Sequence, residues 1–184
     1  GSWTKRIHPG LAAQSALNAC SLAKEDFKGP SDAYSERYGL FPLFLGQTHV
    51  NPTEILSSLG ETWELLNVAI KPYPVCHYNH ACMDAAVTCV SENQIDPIDI
   101  FSIKLYLHSD QFDVVCRPED KKKRPRSEYE AKFSIQYCVA TSIFKLGFGL
   151  DELNDTAINN KLVLALADKI SFHHWSESQF PHFF

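Results

Sequence analysis

The sequence lacks any long hydrophobic run. Its longest uninterrupted apolar stretch, Leu-Val-Leu-Ala-Leu-Ala at 162–167, is far too short to cross a bilayer and is flanked by Lys161 and Asp168. Basic residues are not in excess either, since 17 Lys and Arg stand against 22 Asp and Glu, which gives a formal net charge of −5. We therefore predict neither a membrane nor a nucleic-acid partner.

Cysteine is present six times, at positions 20, 76, 82, 89, 116 and 138, but a disulfide framework is not indicated. Several of these cysteines lie in apolar segments, and 45% of the residues are hydrophobic, which suffices for a core without cross-links. We predict reduced cysteines and a reducing compartment, either the cytoplasm or the mitochondrial matrix. The chain opens without Met and without a signal-peptide core, and we interpret it as processed or excised from a longer protein.

A metal site is weakly suggested by Cys76, His77, His80 and Cys82. These residues lack the paired C-x2-C and H-x3-H spacings of structural zinc sites, and Cys82 is predicted to lie on a helix. We predict no metal and no other cofactor, although a small zinc-binding module remains the alternative.

Hydrophobic periodicity predicts an α+β chain in which helices and strands alternate. The first helix carries the small residues Ala12, Ala16, Ala19 and Ala23 on one face, which would let another helix approach closely. The basic run at 121–126 is interpreted as a solvated loop rather than a localisation or nucleic-acid signal. The predicted elements are helices at 9–27, 51–60 (beginning at Asn51 and ending at Gly60), 79–93, 128–146 and 155–168 (capped by Asp155), strands at 63–70, 100–108 and 112–116, and an extended segment from 170 onward.

The segment 71–86 is the most informative part of the sequence. Pro72 and Pro74 stiffen a stretch that brings Lys71 and several histidines and cysteines close to a helix start, with Asn79 as the predicted N-cap. A helix N-terminus beside a lysine suits an anionic ligand such as a carboxylate. The alternative is a proline-stiffened crossover into a core helix, with histidines that are merely hydrogen-bonded.

Three motifs in one order carry a resemblance to a known family. They are Thr-Lys-Arg-Ile-His-Pro-Gly at 4–10 followed by Ala12-Ala13, Lys-Pro-Tyr-Pro at 71–74 with His80 and Asp84-Ala85-Ala86, and Glu-Ala-Lys-Phe-Ser at 130–134 with Tyr137 and Ala140. Together they resemble the MmgE/PrpD family, whose members act on small polycarboxylates without metal or organic cofactor. The resemblance implies that the chain is a middle-to-late part of such a protein.

The same resemblance implies the architecture and the partners. Residues 1–60 would belong to an all-helical dimerisation domain, and residues 61–184 to a smaller α+β lid domain that is incomplete at its C-terminal end. The implied partners are a small polycarboxylate substrate and the remainder of the polypeptide or a complementary chain, in a homodimer or higher assembly.

The resemblance also implies a site. Chemistry at a carbon next to a carboxylate needs cations that hold carboxylates and a group that moves a proton, which are tasks for lysine and histidine. Ser134 and Tyr137 have the alternative of being packed, hydrogen-bonded helix residues. The implied catalytic residues are His77, His80, Cys76 and His8, and the implied substrate-binding residues are Lys71, Lys5, Tyr73, Ser134 and Tyr137.

One departure from the family pattern bears on the reaction. The cis-aconitate decarboxylases of this family, as we align them, carry a histidine at the position of Cys76. We therefore predict a lyase of the 2-methylcitrate dehydratase type. A decarboxylase of the cis-aconitate type, an epimerase or isomerase, and a non-catalytic subunit are the alternatives. Since further catalytic residues of the family precede this region, the chain by itself is expected to be inactive.

Overall fold

The computed structural model describes residues 3–35, 37–46 and 56–175. The chain divides into two compact units, with the boundary in the sequence between Ile70 and Lys71. The division into domains at 1–60 and 61–184 stays a prediction. The predicted helix start at Asn51 lies outside the described residues.

The regular secondary structure of the first unit, over its described residues, is helical. Helix α1 spans Thr4–Lys24 and helix α2 spans Leu40–Leu45. Helix α1 begins at Thr4 rather than at residue 9 and contains Pro9, so its first turns include the sequence motif at 4–10. None of its residues is buried, which leaves the alanine face open within this unit.

The predicted strand at 63–70 is wrong. Residues Glu64–Asn67 form a 3-10 turn, and the Asn67 amide donates to the Glu64 carboxylate at 2.9 Å across it. Leu66 and Ile70 expose 87% and 91% of their surface, so these apolar side chains face no neighbouring strand. A short apolar run does not by itself distinguish a buried strand from an uncovered turn.

The second unit is built around one central helix. Helix α3 spans His80–Asn93, as predicted from the sequence, and the central helix, α6, spans Ile135–Lys145. Helix α6 packs against both α3 and α8, which spans Lys161–Asp168. All residues from 135 to 143 are buried, as is typical of a helix that is surrounded by other elements.

A small parallel sheet lies beside these helices. Strand β1, Ile103–Leu107, pairs in parallel with β2, Ile170–His174, and Ile103 lies opposite Ile170. Leu105 and Leu107 are buried while their neighbours are not, which confirms the predicted half-buried strand. Helices with this two-stranded sheet confirm the α+β fold class.

The predicted strand at 112–116 is wrong, because the chain turns immediately after β1. A 3-10 turn at Ser109–Gln111 runs into one π-helical turn at Phe112–Cys116, and the Arg117 amide donates to the Phe112 carbonyl at 2.8 Å. The adjacent residues Val115 and Cys116 are both fully buried, whereas a strand would bury alternate residues.

The predicted helix at 128–146 is two helices. Helix α5 spans Glu128–Ala131, and the chain leaves the helical conformation before Ser134 begins α6 as its N-cap. The Ser134 hydroxyl accepts a hydrogen bond from the Tyr137 amide at 3.0 Å. We call residues 132–134 the interhelical break.

The prediction of a solvated loop for the basic run at 121–126 is wrong. The first residues of this run lie in helix α4, which spans Glu119–Lys123.

The predicted helix at 155–168 is also two helices, α7 at Asp155–Ile158 and α8. Their caps are Asn154 and Asn160, not Asp155. Further 3-10 turns occur at His77–Asn79, Pro97–Asp99 and Asp151–Leu153. In the described parts of the chain, every helix is too short or too polar to span a membrane.

Candidate functional site

The segment before α3 is fixed to the interhelical break. The Cys76 amide donates to the Lys132 carbonyl at 2.8 Å, and the Asn79 side-chain amide donates to the same oxygen at 3.2 Å. Val75 is buried in the core just before this attachment. The prolines therefore lead into a turn that is held at both ends by one carbonyl group.

Asn79 occupies the predicted N-cap position of α3, but its side chain does not cap the helix, and a turn at His77 precedes it. The Asn79 amide donates to the Cys76 carbonyl at 3.0 Å and the His80 amide to the His77 carbonyl, which closes a 3-10 turn ahead of α3. The Asn79 side chain makes no capping bond, and its amide donates instead to Lys132 and to the Cys138 sulfur at 3.3 Å.

Five side chains come together at this turn, and we call them the Lys71–Asp84 cluster: Lys71, Tyr73, His77, His80 and Asp84. The His80 ring lies 5.2 Å from the Tyr73 ring, edge to face, and 5.1 Å from the His77 ring, measured between centroids. The Tyr73 hydroxyl donates to the Asp84 carboxylate. The Lys71 ammonium reaches the Val75 carbonyl at 3.5 Å.

His80 is the chemically distinctive member of the cluster. It is only 5% exposed, and this burial lowers the pKa of its imidazole below the ordinary value of 6.5. Positive charge on His77 and Lys71 lowers the pKa further, against the opposing influence of the Val75 carbonyl and Asp84. The ring is therefore neutral at neutral pH. Its buried Nε2 atom has no hydrogen-bond partner among the described residues, which leaves a nitrogen available to take up a proton.

Asp84 is a site residue to which the sequence analysis gave no role. It follows His80 by one helical turn, a spacing that places both side chains on one face of α3. Its hydrogen bond raises the pKa of the Tyr73 phenol, which keeps that hydroxyl protonated as a donor. The Asp-Ala-Ala motif contained this signal, because an acidic residue four positions after a histidine is a natural orienting partner.

The other predicted residues divide by position. Cys76 is half-buried at the entrance of the 3-10 turn, and His77 is exposed within it. Lys5 and His8 lie on exposed positions of α1 in the first unit, and their roles stay predictions.

Ser134 and Tyr137 lie inside the core and are fully buried. The Ser134 hydroxyl donates to the Lys122 carbonyl, and the Tyr137 hydroxyl donates to the Glu152 carbonyl at 2.5 Å. Burial raises the pKa of Tyr137 to about 12. Each hydroxyl thus has a partner within the unit, and the proposed contact of both residues with substrate stays a prediction.

The four residues of the zinc alternative are not a prepared metal site. Burial raises the pKa of the Cys82 thiol to about 11, so a metal ion would have to displace a firmly held proton before this sulfur could bind it as thiolate. Over the residues that the structure describes, no group of three or more His, Cys, Asp and Glu side chains is arranged to hold a metal ion.

Comparison with known proteins agrees with these motifs. Residues 73–180 match the MmgE/PrpD C-terminal domain. The chain is 25% identical over 177 residues to cis-aconitate decarboxylase of Homo sapiens. This alignment covers 93% of the chain and 35% of the human protein. It is 23% identical over 193 residues to a cis-aconitate decarboxylase-like protein of Aspergillus oryzae, covering 96% of this chain and 38% of that protein. The chain therefore spans little more than a third of the length of these relatives. Since the matched domain makes up more than half of it, the chain belongs to the MmgE/PrpD family.

Proposed function

We propose that the protein containing this chain is a lyase that releases CO2 from cis-aconitate or a closely similar polycarboxylate. Two features support this proposal: the named activity of the relatives, and the presence of a cation and two imidazoles in the Lys71–Asp84 cluster. The relatives favour this reaction over the 2-methylcitrate dehydration predicted from the sequence. The departure at Cys76 keeps dehydration as the second candidate.

The chemistry of decarboxylation defines what the cluster must do. When the bond to the departing carboxylate breaks, its electron pair stays on the carbon skeleton, and that carbon then takes up a proton. The remaining carboxylates need a cation to hold them, and Lys71 is the proposed anchor. A solvent-connected group must bring the proton in.

The observation that carries the proposal is the neutral, buried His80 beside exposed His77. Because its pKa is lowered, His80 is unprotonated at neutral pH, and its buried Nε2 atom has no hydrogen-bond partner among the described residues, so in this proposal it takes up a proton and passes it on in the next step. The His77 ring, 5.1 Å away and in contact with solvent, provides a route between this nitrogen and bulk water. Asp84 orients the cluster through Tyr73, while Cys76 supplies the backbone attachment to Lys132.

The test uses the complete protein with cis-aconitate and 2-methylcitrate as separate substrates. We expect CO2 release from cis-aconitate. Lys71 is exposed in this chain, and bound substrate would have to cover it. Lys71→Ala should then lose roughly 2 to 5 kcal/mol of transition-state stabilisation, measured as kcat/KM, as when one partner of a desolvated charge pair is removed. Lys104→Ala is the matched control, because Lys104 is an exposed lysine on β1 of the same unit.

The histidine variants test the proton-transfer role separately. His80→Gln should lower kcat about 100- to 10,000-fold with a smaller change in KM, because a proton-transfer group acts mainly in the transition state. Water loss from 2-methylcitrate without CO2 release from cis-aconitate would replace the decarboxylase proposal by the dehydratase. Wild-type kcat/KM in Lys71→Ala would remove the carboxylate anchor, and turnover of neither substrate would favour a non-catalytic role.

A further inference from the structure

The turn that carries His77 depends on a single backbone oxygen. The Lys132 carbonyl accepts the Cys76 amide on one side of the turn and the Asn79 side chain on the other. His77 lies between these attachment points and His80 follows directly. Any rotation of the Lys132 peptide group would therefore move both imidazoles.

The interhelical break that carries this oxygen is held from its other side by Lys122. The Lys122 ammonium donates to the Phe133 carbonyl at 2.6 Å and to the Val114 carbonyl at 2.7 Å. The backbone carbonyl of Lys122 accepts the hydroxyl of Ser134. Lys122 thus holds two of the three residues of the break, through its side chain and its main chain.

The partly buried position of Lys122 makes this arrangement informative. Burial lowers the pKa of the ammonium, which shows that desolvation opposes its charge. Hydrogen bonds from a charged donor to a carbonyl are shorter and stronger than neutral ones, so they fix the direction of the peptide groups they reach. An apolar side chain of similar length would fill the same space but leave those carbonyls free to turn.

We propose that Asn79 and Lys122 are positioning residues that act as one unit, holding His77 and His80 in place through the interhelical break. Neither side chain contacts a substrate in this scheme. The link runs from Lys122 to Phe133 and Ser134, along the backbone to Lys132, and from its oxygen to Asn79. As a contribution to catalysis this inference rests on the proposed function, whereas the mechanical link does not.

The experiment measures amide hydrogen exchange and steady-state kinetics in the complete protein. In Lys122→Met, exchange of the amides at 76–80 should rise at least about tenfold. The kcat on cis-aconitate should fall about 10- to 100-fold with KM changed less than about threefold, since displacement of reacting groups by about 1 Å costs rates of this order. Lys121→Met is the matched control, because Lys121 is an exposed residue of the same helix, and it should change neither quantity.

Two further variants test the shared link. Lys122→Arg retains a charged donor and should recover part of the lost kcat. Asn79→Ala should reproduce the exchange and kinetic effects of Lys122→Met, and this variant decides the matter if Lys122→Met fails to fold. The double variant should lose little more kcat than the more damaged single variant, because both changes loosen the same interhelical break.

The readouts separate this inference from the proposed function. Faster exchange at 76–80 in a protein that turns over no polycarboxylate would retain the mechanical link and reject the lyase. Unchanged exchange in Lys122→Met and Asn79→Ala would overturn the link, whatever the activity. Faster exchange with unchanged kcat, or fully additive losses in the double variant, would overturn the positioning role.

Discussion

Ser134 offers a direct test of whether a conspicuous family residue serves binding or folding. Its hydroxyl caps helix α6 by accepting the Tyr137 amide, and it also donates to the Lys122 carbonyl. It is fully buried. Ser134→Ala removes both hydrogen bonds without adding volume, so the substitution isolates the hydroxyl group.

The magnitude follows from the two bonds. Loss of a serine N-cap costs about 1 kcal/mol of stability. Loss of a buried hydrogen bond that leaves a carbonyl one partner short costs about 1 kcal/mol more. We therefore expect the free energy of unfolding to fall by about 2 kcal/mol.

The assay is equilibrium urea unfolding of the complete protein, followed by circular dichroism, with Ser127→Ala as the matched control. The Ser127 hydroxyl caps the neighbouring helix α5 by accepting the Glu130 amide at 3.2 Å, so this variant loses a cap alone and should cost about 1 kcal/mol. The folded fraction of Ser134→Ala should keep a KM close to wild type.

Two results would refute this reasoning. If Ser134→Ala lost no more stability than Ser127→Ala, the hydrogen bond to the Lys122 carbonyl would contribute nothing. If its KM rose tenfold or more, the hydroxyl would contact substrate, and the role implied by the family resemblance would hold instead.

Two further predictions concern protons and metals. The folded-state pKa of His80 lies below 6.5, the ordinary value that applies to the unfolded chain. As the pH falls from 6.5 toward the lower folded-state pKa, His80 is therefore protonated in the unfolded chain but not in the folded one. The free energy of unfolding decreases over this range by at most about 1.4 kcal/mol per pH unit. The stability of His80→Gln should be less pH-dependent there by that amount, and equal slopes for wild type and variant in urea titrations would contradict the lowered pKa. The complete protein should contain no stoichiometric zinc and should keep its activity in chelator, and one zinc per chain by elemental analysis would reverse this.

The sequence predicted those parts of the fold whose signals are local and long enough to be unambiguous. Helix α3 and strand β1 were found because each shows its own periodicity over its whole length. The apolar runs at 63–70 and 112–116 were wrongly predicted as strands, because a run of four to eight apolar residues is compatible with either a strand or a turn. The break before α6 was missed, because one of the hydrogen bonds to it comes from the side chain of Lys122, in another helix.

In the candidate site too, features that arise within one segment differ from features that depend on contacts with other parts of the chain. The proximity of Lys71, Tyr73, His77 and His80 is a local property of one proline-stiffened segment, whereas their roles in binding and catalysis stay predictions. The function of Asn79 was misjudged because its partner, the Lys132 carbonyl, lies far along the chain. Short polar residues are strongly preferred at helix N-caps, but a hydrogen bond to a distant part of the chain can hold the same side chain in a different orientation.

The parallel pairing of β1 with β2 has a consequence for the order of folding. Ile103 meets Ile170 across the sheet, so the entire segment that contains α4 to α8 forms the loop between the two strands. The entropy cost of closing such a loop grows with its length, and no local contact offsets it until the intervening helices are packed. We therefore expect α6 to assemble with its neighbours first and the sheet to form late. Substitutions in β2 should then accelerate unfolding while leaving the folding rate nearly unchanged.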